Sequence, residues 1–168
     1  MKKLPLENVL EAILFAAGDS VPLVRLAEAA ELDIPATLGL LIRMADRYER
    51  EESGILIIEI NDSFQLCTNP KYYEYARRLL PDTRPVTLTQ PLLETLAIVA
   101  YKQPVTKAVI EEIRGVNADH TVGKLMEYGL IEEEGRLDAP GRPILFGTSE
   151  EFLRHFGLKS IDEIGEIL

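Results

Sequence analysis

Residues 113–129 read IRGVNADHTVGKLMEYG, and the way this stretch folds decides the architecture. An amphipathic helix runs into Gly115, a polar turn follows, and Asn117 is placed to cap a second helix. That order is the pattern of a helix-turn-helix, whose second helix enters the major groove in DNA-binding proteins. Yet the first turn of this helix carries Asp119 and His120, and Lys124 is its only cation. An acid stands where phosphate contacts would fall.

Working outward, the pattern predicts helices at about 90–102, 106–114 and 117–128, then a strand LIEEE. The loop GRLDAPGRP leads to a strand ILFGT, and EEFLRHFG and SIDEIGEIL read as helical pieces. TLAIVAY (95–101) is apolar nearly all round and reads as a central helix. Gly115 suits a left-handed helix end, and the Pro-Gly pair of APGRP suits a turn with positive φ at Gly141. Arg142 beside it is placed to anchor an acid.

Upstream the same plan is written once before. Leu6, Val9, Leu10, Ile13, Leu14 and Ala17 fall on one helical stripe that Gly18-Asp19 ends. A second helix is expected over about Val21–Leu32, and a third, with Pro35 in its first turn, runs to about Glu51. ILIIEI and FQLCT flank Asn61-Asp62-Ser63 as a β-hairpin, and KYYEYARRLL closes the unit as a short helix. A shift of 83 residues lays Leu10 on Leu93, Ile13 on Leu96, Ala17 on Ala100, Leu26 on Val109 and Ala30 on Ile113. Prolines 81, 85 and 91 punctuate PDTRPVTLTQP. The expectation is a mainly α chain with small β-hairpin wings: two tandem winged-helix domains, 1–80 and 92–168, joined by a linker at 81–91.

Charge argues against the obvious use of such a fold. The chain of 168 residues has 18 Lys+Arg against 28 Asp+Glu, a net charge of −10. Residues 1–85 hold 14 acids and 10 bases, and residues 86–168 hold 14 acids and 8 bases, so neither half is a basic arm. Duplex DNA is bound through Lys and Arg that displace its counterions, which here requires a concentrated patch. Arg43, Arg47 and Arg50, at i, i+4 and i+7 on the third helix, are the best stripe available, but Asp46, Glu49, Glu51 and Glu52 interleave with them. Pairs such as Arg47 with Glu51 give ordinary surface support. These three arginines carry the alternative reading, a DNA-binding transcription regulator.

Hydrophobic residues at 46% and charged residues at 27% describe a folded, soluble chain. Cys67 is the only cysteine, so an internal disulfide is excluded. Glu7, Asn8 and Glu11 interrupt what would be the apolar core of a signal peptide, and a cytoplasmic protein is expected. No phosphate loop, G-x-G-x-x-G turn, G-x-S-x-G elbow or H-E-x-x-H is present. His120 and His155 lie in different elements without ligand spacing, and Glu132-Glu133-Glu134 reads as a solvated strand edge. No catalysis, metal or cofactor is expected, and the winged helices read as protein-binding modules.

LETLAIVAYKQPVTKAVIEEIRGVNAD and LMEYGLIEEEGRLDAPGRPILFGTSEEFLRHFGLKSIDEI closely resemble segregation and condensation protein B, most specifically in AYKQPVT, IRGV, PGRP and FGLKS. LEAILFAAGDSVPL fits that family more loosely. The resemblance runs nearly end to end. It implies a non-enzymatic subunit of a bacterial or archaeal condensin, associated with the nucleoid and acting in chromosome condensation and segregation. It further implies a homodimer formed through the N-terminal domain, with the C-terminal domain binding the central segment of the kleisin subunit, ScpA, and through it the structural-maintenance-of-chromosomes (SMC) ATPase. Family members often trail an acidic tail, whereas this chain stops soon after SIDEI.

On that reading, Ala12, Phe15 and Ala16, opposite the core stripe of the first helix, are the candidate dimer surface. Phe15 packing under its own wing or last helix is the other possibility. Tyr101, Leu125, Tyr128, Phe146, Phe152 and Phe156 are the candidate kleisin anchors, because hot spots concentrate in apolar and aromatic residues. Each could instead be domain core, Leu125 and Phe146 most readily.

Overall fold

A computed structural model describes residues 4–79 and 87–166; residues 81–86 of the expected linker, and Leu80 of the short helix before it, lie outside them. The chain forms two compact units, Met1–Thr83 and Arg84–Leu168.

In the first unit, α1 (Leu6–Ala17) leads to a short strand β1 (Val21–Pro22), then α2 (Leu23–Ala30) and α3 (Ile34–Arg50). The wing is β2 (Ile55–Ile60) and β3 (Ser63–Thr68), followed by a 3₁₀ turn at Pro70–Tyr72 and α4 (Tyr73–Ala76). Glycine at position 18 lets the chain turn with φ 68°, and its N–H closes on the Leu14 carbonyl. Asp33 caps α3 by accepting from the Ala36 N–H at 2.7 Å, with Pro35 already in the first turn. Leu10, Leu14, Leu26, Leu41, Met44 and Phe64 fill the core between the three helices and the sheet. Thr37 is buried among them and donates its hydroxyl to the Asp33 carbonyl, so it brings no orphaned polar group.

The second unit repeats this order. It runs α5 (Gln90–Lys102), β4 (Val105–Thr106), α6 (Lys107–Arg114), α7 (Asp119–Glu127), β5 (Ile131–Arg136) and β6 (Ile144–Thr148). α8 (Glu150–Phe156) and a 3₁₀ turn, Ile161–Glu166, follow. Both sheets are antiparallel with the last strand of the wing in the middle, in the orders β1-β3-β2 and β4-β6-β5. Both units are therefore winged helices, mainly α with small β wings.

Sequence pattern misplaced several details. Val21-Pro22, expected inside a helix, pairs with Phe64 and Ser63, and its counterpart Val105-Thr106 pairs with Phe146 and Leu145. Two-residue strands are too short to show alternation. Ser63 belongs to β3 rather than to the turn, which is Asn61 and Asp62 at φ 46° and 58°. Positive φ at both positions gives the twist a two-residue hairpin needs. Asn117 is not the cap of α7: the chain enters that helix at Ala118, whose N–H donates to Glu111 at 3.0 Å, while the Asn117 amide oxygen accepts from the Asp119 N–H.

The 83-residue offset is also wrong by one, both at the first helices, where buried Leu10 falls on Leu93 (40% exposed) instead of buried Leu92, and at the second. Leu26 is fully buried, but Val109, its assigned partner, is 39% exposed, and Ile110 takes the core position instead. One residue is a 100° rotation on a helix, enough to turn a core side chain outward.

Candidate functional site

In the second unit, Leu93, Ala97 and Tyr101 recur every four residues along the outer side of α5. Leu93 is 40% exposed and Tyr101 52%, and Ala97 between them keeps the helix surface low. Across from them, Phe156 at the end of α8 is 43% exposed and lies against Phe152, with ring centres 4.8 Å apart and the rings tilted by 45°. Leu96, Ala100 and Phe152 form the floor, and Leu158 and Ile164 close the far side. The result is an open apolar groove of about 270 Å³. Hydrogen bonds at the ends of α5 and α8 hold its walls in place. Ser149 caps α8 by accepting from the Phe152 N–H at 3.2 Å, and its hydroxyl donates to the Gly129 carbonyl. Gln103, after the last residue of α5, accepts at its side-chain oxygen from the Thr148 N–H (2.6 Å) and hydroxyl (3.0 Å), fastening α5 to β6.

Three of the six expected anchors, Tyr101, Phe152 and Phe156, thus meet in one groove. Leu125 does not: it is fully buried, on the face of α7 turned to the core, and has no surface to offer a partner. Phe146, 6% exposed in the central strand of the sheet, is also core rather than anchor. Phe152, 4% exposed, belongs to the groove only as floor. Tyr128 lies elsewhere, half-buried after α7, with the Lys124 ammonium 5.8 Å from its ring centre. Leu93, Ala97, Leu158 and Ile164 were missed. The four-residue spacing of Leu93, Ala97 and Tyr101 was legible in the sequence; the return of the C-terminal turn to α5 was not.

In the first unit, Ala12, Phe15 and Ala16 all face outward on α1. Phe15 is 81% exposed, so it does not pack under its own wing. It stands at the rim of a shallow depression that includes Ala12, Ile55 and Leu66. A second depression on the same helix is lined by Leu4, Pro5, Val9, Ala12, Ile13 and Ala16.

The arginine stripe breaks at its middle member. Arg47 reaches Glu7 at 2.6 Å and Glu11 at 3.9 Å on α1, not Glu51. Its guanidinium also lies 5.3 Å from the ring centre of Tyr48. Arg47 therefore docks α3 on α1, and only Arg43 and Arg50 remain exposed to solvent.

α7 shows the same economy. Lys107 makes an ion pair with Asp119, and Lys124 lies 2.7 Å from Glu127. The hydrogen bond from Lys107, reinforced by one from Asn117, holds the Asp119 carboxyl below the usual carboxylate range. Asp119 also faces the positive end of the α7 dipole. Arg114, 8% exposed at its side chain, reaches Glu94 at 3.5 Å and Thr121 at 3.4 Å, joining α6 to α5 and α7. Among the described residues no group of three or more His, Cys, Asp or Glu is placed to hold a metal, and no helix is long and apolar enough to cross a membrane. His120 is exposed on α7 and His155 on α8, in edge contact with Phe156.

Comparison with known proteins shows what this chain is similar to. The model of the segregation and condensation complex subunit ScpB family matches residues 8–167. Segregation and condensation protein B of Agathobacter rectalis is 54% identical over 156 residues, covering 92% of this chain and 83% of that protein. The crystal structure of ScpB from Mycobacterium tuberculosis is 37% identical over 93% of this chain and 99% of that one, with a TM-score of 0.45. A crystallised dimer of an ScpB N-terminal domain complexed with ScpA peptide is 30% identical over 45% of this chain and 95% of that one, with a TM-score of 0.43. Because the superpositions are loose, the fold assignment rests on the order and pairing of this chain's own elements. The match over nearly every residue settles the family: the chain belongs to the segregation and condensation complex subunit ScpB family.

Proposed function

We propose that this chain is a non-enzymatic, dimeric scaffold in which the N-terminal unit (1–80) self-associates and the C-terminal unit (92–168) clasps the central segment of the kleisin ScpA, linking it to the SMC ATPase on the nucleoid. The observation that carries the kleisin contact is the α5/α8 groove. Tyr101, Phe156 and Leu93 are 52%, 43% and 40% exposed around a buried floor. Large apolar side chains gathered round a concavity are the usual form of a helix-binding surface. An α-helical segment with aliphatic residues on one face fits its length along α5. Tyr101 and Phe156 are the anchors, and Phe152 acts from beneath.

The dimer rests on α1. Phe15, 81% exposed, of one copy enters the depression lined by Leu4, Val9, Ala12 and Ile13 on another. The same contact made twice closes a two-fold dimer. Ala12 and Ala16 let the two helices approach. Direct reading of DNA by α3 is disfavoured by the loss of Arg47 to Glu7 and Glu11.

The test is light-scattering mass after gel filtration, first alone and then with the central ScpA segment encoded in the same genome. Twice the 18.8 kDa chain mass, rising when the segment is added, is the expected result. A monomer that ignores the segment refutes both parts.

A further inference from the structure

The outward face of α1 and of the two residues before it is uncharged. Leu4, Pro5, Asn8, Ala12, Phe15 and Ala16 are all exposed there. The acids of the same helix, Glu7 and Glu11, reach Arg47 on α3 at 2.6 Å and 3.9 Å. In a chain of net charge −10, a second copy can therefore lie on this face without like charges meeting across it. Asn8 and Ala12 line both depressions on the helix, which puts them at the middle of the face.

The position of Phe15 fixes more than the choice of partner. The depression it would fill runs from Leu4 to Ala16, with Val9 near its centre. In a two-fold dimer every contact is made twice, once on each side of the axis, so the axis passes midway between Phe15 and that centre. Ala12 is the residue midway. It lies about 4.5 Å along the helix and about 60° round it from Phe15 on one side and from Val9 on the other.

Resting on the self-association proposed above, we infer that the two-fold axis passes beside Ala12, so that this residue meets its own counterpart in a second copy of the chain. Alanine there lets the two α1 helices cross at the short end of the range for packed helices, roughly 8 Å between axes. A longer side chain at this position meets its own duplicate, and each added atom is felt twice. At that separation the facing Cα atoms come close to the roughly 4.4–6.8 Å that a disulfide spans, whereas Val9 and its counterpart stand on opposite sides of the axis, about 9 Å apart along the helix.

The experiment places single cysteines in the full chain carrying Cys67→Ser. Ala12→Cys, Val9→Cys and, as a collision control on exposed α2 surface, Ala29→Cys are oxidised under the same mild conditions and run on non-reducing gels. Ala12→Cys should give a covalent species of twice the 18.8 kDa chain mass. Its rate should exceed both controls by on the order of tenfold or more, because facing thiols in a dimer share a millimolar effective concentration. Light-scattering mass of the Cys67→Ser parent is measured alongside. A dimeric parent in which Ala12→Cys cross-links no faster than Ala29→Cys, or more slowly than Val9→Cys, overturns the inference and leaves self-association standing. A monomeric parent overturns the proposed dimer, and the inference with it.

Discussion

Replacing Phe15 with alanine tests the dimer with little interference from stability. The side chain is 81% exposed, so the isolated unit has little to lose. Substitutions at such positions usually stay within about 0.5 kcal/mol. In the proposed dimer each Phe15 is buried against the other copy, which contributes about 2–3 kcal/mol per side chain. The two-fold axis counts it twice, giving roughly 4–6 kcal/mol, or about a 10³- to 10⁴-fold rise in the dimer dissociation constant. Sedimentation equilibrium over a wide concentration range reads that constant. Thermal unfolding supplies a second readout. The parent Tm should climb with concentration, because association stabilises the folded state, and the variant Tm should not. For contrast, Leu14→Ala on the core side of the same helix, 1% exposed, should lower stability by about 2–5 kcal/mol at every concentration. If Phe15→Ala leaves the dimer constant within threefold of the parent, this face of α1 is not the interface.

Three further outcomes follow from individual contacts. Arg47→Met removes the link to Glu7 and Glu11 from a site about one-third exposed, so the urea midpoint should fall by the equivalent of about 0.5–1 kcal/mol, with no change in retention on duplex DNA; a large loss of DNA retention would restore the DNA-reading alternative. Asp119, whose carboxyl is held below its usual range by Lys107 and then Asn117, contributes stability that is present above its unfolded pKa of about 3.9 and is lost as pH falls through its depressed folded value; an NMR titration should find its midpoint below that of a free aspartate, and Lys107→Met should move it back up. Gln103→Ala leaves the Thr148 N–H and hydroxyl without their acceptor and should lower stability by about 1–3 kcal/mol, read from the denaturant midpoint.

The sequence was legible where periodicity is long and capping chemistry is local. The 17-residue helix α3, with Asp33 before it and Pro35 in its first turn, could be placed closely, as could the strands of the first hairpin on either side of Asn61-Asp62. It was opaque where position depends on what folds back from far along the chain. Whether an apolar residue is core or surface is one such case. Leu125 and Phe156 look alike in sequence, yet α7 turns the first fully inward and the end of α8 leaves the second 43% exposed. The ion pairs are another. Arg47 has Glu51 one turn ahead, as a surface pair requires, but bonds to Glu7, forty residues earlier. Helical spacing proposes the local partner, and packing of α1 across α3 supplies a nearer one.

That preference for internal partners bears on why an acid sits at the start of α7. Asp119 accepts from Lys107 and lies in the first turn at the positive end of its own helix, while Lys124 leans on Glu127 and Arg114 on Glu94. Cations at this helix-turn-helix already have carboxylates beside them, in a chain whose net charge is −10. Counterion release from DNA rewards a cation only when it is free to meet phosphate, so each internal pair would have to be broken before α7 could gain by entering a groove. An apolar groove faces no such competition from charge. Its binding is driven by area removed from water, which the surrounding negative potential leaves nearly untouched. On the proposed function, a winged helix built this way keeps the geometry of a DNA reader but offers Leu93, Tyr101 and Phe156 to a protein segment rather than cations to phosphate.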